Sequence, residues 1–130
     1  MPTTRADLLS LSRAKLRDAE VLLKNRRYHG AVYLSGYAVE FALKARICRS
    51  LRWREYPTQK DYDSFKTHDL ERLLHMSGSN EKTRAKLSKS TDWYKVKQWK
   101  PEKRYEPLQT VNRKAAAEMI ASVKEVLALI

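Results

Sequence analysis

The sequence predicts an all-α fold, and three observations carry that prediction. Only three Gly and four Pro interrupt 130 residues, so few turns are available and the chain must run in long elements. Val and Ile together number ten, too few for a protein built from many short β-branched strands. Apolar residues recur three and four positions apart through several long windows, which is the period of an amphipathic helix. The expected architecture is an up-and-down bundle of four or five helices. Residues 1–130 are expected to form one domain, since that length suits a single core.

The elements follow in order. A first helix is expected to begin after Thr3 or Thr4, either of which can cap free backbone amides, with Asp7 near the positive end of the helix dipole. It should run to about Lys24, with Leu9, Leu16, Ala19 and Leu23 on one face and Arg13, Lys15, Arg17 and Asp18 in solvent. Asn25 to Arg27 reads as a tight connection. A second helix, about Tyr28 to Leu51, is apolar on most sides and is expected at the centre. Its small residues Gly30, Ala31, Ser35, Gly36, Ala38, Ala42 and Ala45 would let another helix approach closely, from the same chain or a second copy.

Arg52 to Lys66 lacks periodicity, and Tyr56-Pro57 disfavours helix at residue 56, so a long loop is expected. A third helix should start at Thr67 or His68, carry Leu70, Leu73, Leu74 and Met76 inward, and end near Ser77-Gly78-Ser79-Asn80. Glu81 to Ser90 suits a short helix anchored by Leu87. Thr91 to Pro107 holds two Trp, two Tyr and two Pro with little period. A last helix, about Gln109 to Leu129, places Ala116, Met119, Ile120, Val123 and Leu127 on one stripe.

Charge points toward the partner. The chain carries 27 Lys and Arg against 15 Asp and Glu, a net charge of +12, and such an excess favours polyanions because phosphate contacts release condensed counterions. Two basic segments stand out. Arg46, Arg49, Arg52 and Arg54 leave the second helix; Lys82 to Arg104 holds nine Lys or Arg, among them Lys95, Lys97, Lys100 and Lys103, against Asp92 and Glu102 alone. Trp93, Tyr94, Trp99 and Tyr105 interleave with those lysines, a mixture that suits base stacking beside phosphate neutralisation. For the two tryptophans, anchoring an irregular segment to the core is the plainer role.

Smaller signals bound the chemistry. Glu40 and Lys44 stand four residues apart in the order that favours an intrahelical ion pair, and on so apolar a helix their charges would need further partners. Lys66, Thr67, His68 and Asp69 gather at an expected helix N-terminus, where free amides can receive a phosphate; Thr67 as a simple cap is the plainer alternative. Three His without metal-ligand spacing define no metal site, and no cofactor is expected. The single Cys48, in an apolar helical run, fits a small hydrophobe in a reducing cytoplasm. No secretory leader and no run of about 18 apolar residues is apparent, so neither secretion nor membrane insertion is expected.

Three segments together carry a resemblance: Asp18-Ala19-Glu20-Val21-Leu22-Leu23, Gly30 through Arg46 with its core Ala38-Val39-Glu40-Phe41-Ala42-Leu43-Lys44-Ala45, and Lys66-Thr67-His68-Asp69-Leu70. In this order and spacing, with Trp99 and Arg104-Tyr105-Glu106 following, they resemble the HEPN domain family over about residues 5 to 128. The resemblance implies a helical bundle, commonly a two-fold homodimer, associated with RNA or nucleotides. It also implies work beside a small nucleotidyltransferase in toxin–antitoxin or defence systems. RNase members of the family carry an arginine followed four to six residues later by a histidine near the last helix. Neither His29, His68 nor His75 follows an arginine at that spacing, so a binding module is expected in place of the usual RNase. Glu40, Lys44, Lys66, His68, Arg104 and Tyr105 are the expected ligand residues. An RNase with a non-standard site on His68 and a protein-binding antitoxin or scaffold are the alternatives.

Overall fold

The computed structural model describes residues 3–78 and 81–130. Among these, six α-helices are connected by three short 3-10 turns: α1 (Arg5–Lys24), α2 (Tyr28–Leu51), α3 (Leu70–Met76), α4 (Glu81–Ser88), α5 (Thr91–Val96) and α6 (Arg113–Leu129). The all-α bundle is as expected. Three long helices, α1, α2 and α6, form its frame, and the short α3, α4 and α5 close the remaining side.

The two longest helices begin and end where local chemistry places them. Thr4 Oγ1 accepts from the Asp7 amide and Asp7 Oδ2 accepts from the Thr4 amide, each at 3.1 Å, a reciprocal capping box. The Thr4 backbone bond, followed by its hydroxyl, holds the Asp7 carboxyl below the usual carboxylate range. At the far end of α2, Arg52 takes a left-handed conformation (φ 57°) and turns the chain out of the helix. The tight connection at Asn25 to Arg27 likewise contains a left-handed Arg26 (φ 61°).

Helix α2 is central, packing on α1, α3 and α6. Ala38, Val39, Leu43 and Ile47 are wholly buried along it. Its small residues are used largely within the chain: Ala31 packs with Ala19 of α1 and Ile120 of α6. Ser12 of α1 donates to the Ala38 carbonyl at 2.6 Å, which satisfies a buried hydroxyl where the helices meet. Gly36 faces the Trp99 indole so closely that a Cβ there would overlap the ring. On α1 the buried face is Leu8, Ser12 and Ala19; the expected Leu9, Leu16 and Leu23 lie only partly buried beside it.

Three boundaries differ from the sequence reading. The third helix starts at Leu70, because Asp69 Oδ1 takes the Glu71 and Arg72 amides and is the cap in place of Thr67. It ends at Met76, next to the expected Ser77-Gly78, with Gly78 in positive φ (69°) packed on Ser50; Ser79 and Asn80 lie outside the described residues. Helix α4 stops at Ser88 because Ser90 is already the cap of α5, its hydroxyl accepting from the Trp93 amide. The last helix starts at Arg113, since Asn112 caps it through the Ala115 amide at 2.8 Å, and Leu108–Thr110 forms a 3-10 turn instead.

The expected loop at 52–66 is organised by aromatics. Trp53 packs edge to face on both Tyr62 and Phe65, and the buried Tyr56 donates its hydroxyl to the Phe65 carbonyl. Its amide donates to the Thr3 carbonyl at 2.8 Å and an isolated bridge joins Thr4 to Glu55, tying the segment to the start of α1. These contacts are tertiary, so no periodicity announces them. No helix is long and apolar enough to cross a membrane among the described residues.

Candidate functional site

On α2, Tyr33, Tyr37, Glu40 and Lys44 are spaced by four, three and four residues, so they share one helical face. Two other segments meet that face. The stretch before α3 delivers His68, and a 3-10 turn at Pro101–Tyr105 delivers Arg104 and Tyr105.

Glu40 is the hub. Its side chain is 1% exposed, and each oxygen has a separate partner: Oε1 accepts from His68 Nδ1 at 2.7 Å and Oε2 from Lys44 Nζ at 3.2 Å. An ionised carboxylate only accepts, so the Nδ1 of His68 must carry its proton. The other ring nitrogen, Nε2, has no hydrogen-bond partner among the described residues, and the side chain is 54% exposed. A buried acid thus fixes the tautomer and orientation of a solvent-facing imidazole. Lys44 also lies 5.2 Å from the centre of the Tyr56 ring, which confines its ammonium.

Aromatic rings join this hub to the arginine. Tyr37 meets His68 edge to face at 6.3 Å, stacks on Phe41 at 5.7 Å and meets Trp99 at 4.8 Å. Its hydroxyl stands 3.4 Å from that of Tyr33. Burial, helped by the Tyr33 contact, pushes Tyr37 up to about 12. Tyr33 moves the opposite way, below the ordinary phenol range, because of its hydroxyl contact with Tyr37 and then the neighbouring Arg104 guanidinium. Arg104 itself donates to the Tyr105 hydroxyl at 2.9 Å and lies 4.7 Å from that ring's centre. Tyr105 is 74% exposed, leaving one ring face open.

Burial of the tryptophans builds this wall. Trp99 donates its indole N–H to the Tyr33 carbonyl at 3.1 Å across the notch left by Gly36. His29 Nε2 donates to the Lys103 carbonyl at 2.6 Å and pins the turn that carries Arg104. Trp93 and Trp99 are therefore core anchors, and only Tyr94 and Tyr105 of the four interleaved aromatics remain exposed for stacking.

Of the expected ligand residues, Glu40, Lys44 and His68 meet directly, and Arg104 with Tyr105 joins them through Tyr33 and Tyr37. Lys66 does not join; it pairs with Asp63 at 3.0 Å, the neighbour its own turn supplies. Nor does His68 stand over helical amides, because Asp69 has taken them. Sequence reasoning missed Tyr33 and Tyr37. Their signal was present, as Tyr33, Tyr37 and Phe41 repeat every four residues on the face that also holds Glu40 and Lys44.

The two expected basic patches divide. Arg46 and Arg49 line a groove with α1, whereas Arg52 and Arg54, beyond the turn at Arg52, line a separate hollow beside Trp53 and Tyr62. Lys95 and Lys103 border a cleft with Val32 and Met119. Lys97 lies on another face, pairing with Glu71 at 3.6 Å and lying over Tyr94, and Lys100 is exposed. Among the described residues, no group of three or more His, Cys, Asp or Glu is placed to hold a metal ion. Burial raises the pKa of the Cys48 thiol, which is packed in the core.

No curated protein and no solved structure matches the chain. The HEPN domain family model matches residues 6–130, nearly the whole sequence, and the described fold is all helical as that family's is. The chain belongs to the HEPN domain family.

Proposed function

We propose that the face formed by Glu40, Lys44, His68, Arg104 and Tyr105 binds RNA or a nucleotide through its phosphate. The observation that carries this reading is the solvent-facing His68, held by a buried Glu40 and linked through Tyr37 and Tyr33 to Arg104. Groups held in place lose little freedom on binding: the Arg104 guanidinium matches the planar fork of a phosphate, and His68 donates from Nε2 when its ring carries both protons. The open ring of Tyr105 offers a base a stacking surface.

Titration of AMP, ATP and a single-stranded RNA oligonucleotide across salt tests the proposal. The affinity of one of them should fall steeply as salt rises, and His68→Ala and Arg104→Ala should each weaken it about tenfold. Binding that is flat in salt, or indifferent to both substitutions, would refute it.

In the same reading the protein acts as a homodimer with a small nucleotidyltransferase in a toxin–antitoxin or defence system. Sedimentation of the chain alone and coexpressed with such an enzyme checks both parts. One observation favours a second reading, in which the chain is an RNase of non-standard arrangement: a carboxylate-held imidazole with a free Nε2 is the arrangement of a general base. A His68→Ala protein that still cleaves RNA removes this alternative.

A further inference from the structure

We propose that a second surface, independent of the ligand face, docks an acidic amphipathic helix of a protein partner. It is the groove where α1 lies along the C-terminal half of α2 beside the end of α6, a hollow of about 280 Å³. Its floor is apolar, formed by Leu9, Ala42, Ala45 and Leu127, and its rim is cationic, formed by Arg5 and Arg13 of α1 and Arg46 and Arg49 of α2.

None of these four arginines pairs with a carboxylate among the described residues. Among the described residues the cations that meet an acid within 4.0 Å are lysines, Lys44, Lys66, Lys97, Lys103 and Lys124; what sets these four arginines apart is that they converge on one apolar floor. Four unneutralised guanidiniums around an apolar floor therefore present a field and a hydrophobic surface together. Arg5 and Arg13 lie eight residues apart on one helix, a separation of about 12 Å at 1.5 Å per residue. That is about two helical turns, enough for apolar side chains at i, i+3 or i+4, and i+7 to reach the floor while flanking carboxylates meet the rim.

Charge and lining choose the occupant. A second copy of this chain would bring its own +12 against the same arginines, so like charge opposes self-association here. Nucleic acid would find cations but no stacking platform, since no aromatic residue lines the groove. An acidic helix with one apolar face satisfies both rim and floor.

The probe is a fluorescein-labelled synthetic helix of about four turns with Leu at the three inward positions and Glu beside them. A scrambled peptide of identical composition and a single-stranded RNA oligonucleotide are the comparisons. Fluorescence anisotropy should show the ordered peptide binding about tenfold more tightly than the scrambled one. Arg13→Glu with Arg46→Glu should abolish that preference, and a peptide with Lys in place of Glu should recover it. Arg13→Gln with Arg49→Gln, both exposed positions, makes the same test without reversing charge where the double reversal fails to fold by circular dichroism. Nucleotide binding at the His68 face should be unchanged in either variant, which separates this surface from that one. Equal binding of ordered and scrambled peptides, or retention by both variants, would overturn the proposal. So would RNA that displaces the peptide and loses affinity with the same arginines, an outcome that assigns the groove to nucleic acid.

Discussion

The Glu40 face and the arginine groove both carry positive charge, yet they are built on opposite plans. On the first, one buried carboxylate holds an imidazole and an ammonium at 2.7 and 3.2 Å, and rings fill the space between them and Arg104. On the second, four arginines border an apolar floor with no acidic side chain among the lining residues. The difference is one of preorganisation. A group locked by a buried partner has a fixed direction and can meet one small ligand; unpaired surface cations have reach and field, which suit a broad acidic surface. Removing a partner should therefore damage the first region's fold as well as its binding, while the second should lose binding alone.

The largest effect is expected at the hub. Glu40→Ala leaves Lys44 with a largely buried, uncompensated ammonium and should cost about 3 kcal/mol in urea unfolding, whereas removing one partner of an exposed pair costs about 1 kcal/mol or less. Glu40→Gln, which keeps the shape and one acceptor, should cost less. A result in which Glu40→Ala is neutral would place Glu40 among the exposed pairs and erase the contrast. Next comes Gly36→Ala. The added methyl must displace the Trp99 indole, which carries the wall and the turn holding Arg104, and overpacking of this kind costs about 2 kcal/mol.

A smaller effect should appear at alkaline pH. Folding favours the neutral phenol of Tyr37, at about 12, and burial raises Tyr56 in the same direction. An unfolded tyrosine ionises near 10, so the unfolded state releases its protons first. Stability should decline as pH climbs from about 10 toward 12, and Tyr37→Phe should flatten that decline when thermal midpoints are compared. The groove contributes nothing there, because arginine stays charged. The smallest change is expected in the groove itself. Arg13→Gln with Arg49→Gln should alter unfolding free energy by about 0.5 kcal/mol or less, as a slight gain at low salt that vanishes at high salt once like-charge repulsion is screened.

Much of the frame was legible because it depends on neighbours in the chain. The ends of α1 and α2 fall at Lys24, Tyr28 and Leu51 as read, since capping groups and a 3.6-residue period act over a few residues. Ambiguity arose where two local solutions competed. Thr67 and Asp69 can both cap a helix, and Asp69 does so with Leu70 buried beside it. Helix α5 spans six residues, and its two buried anchors, Trp93 and Val96, are too few to show a period.

The candidate site was legible in its parts and not in its assembly. Glu40, Lys44, His68 and Arg104 could each be picked out by charge or motif, and residues four apart on α2 had to share a face. Lys66 and His68, two residues apart, went to different partners, and Arg46 with Arg49 line a different hollow from Arg52 with Arg54. By itself the sequence determined the helical class, the long helices, the excess of cations and the family resemblance, all of which follow from composition and short-range spacing. Only the tertiary structure decided that Glu40 would be buried, that His68 would be its partner across 28 residues, and that Arg5 and Arg13 would stand opposite Arg46 and Arg49. The physical reason is that charge pairing depends on distance in space, and the packing of α1, α2 and the turn before α3 sets those distances.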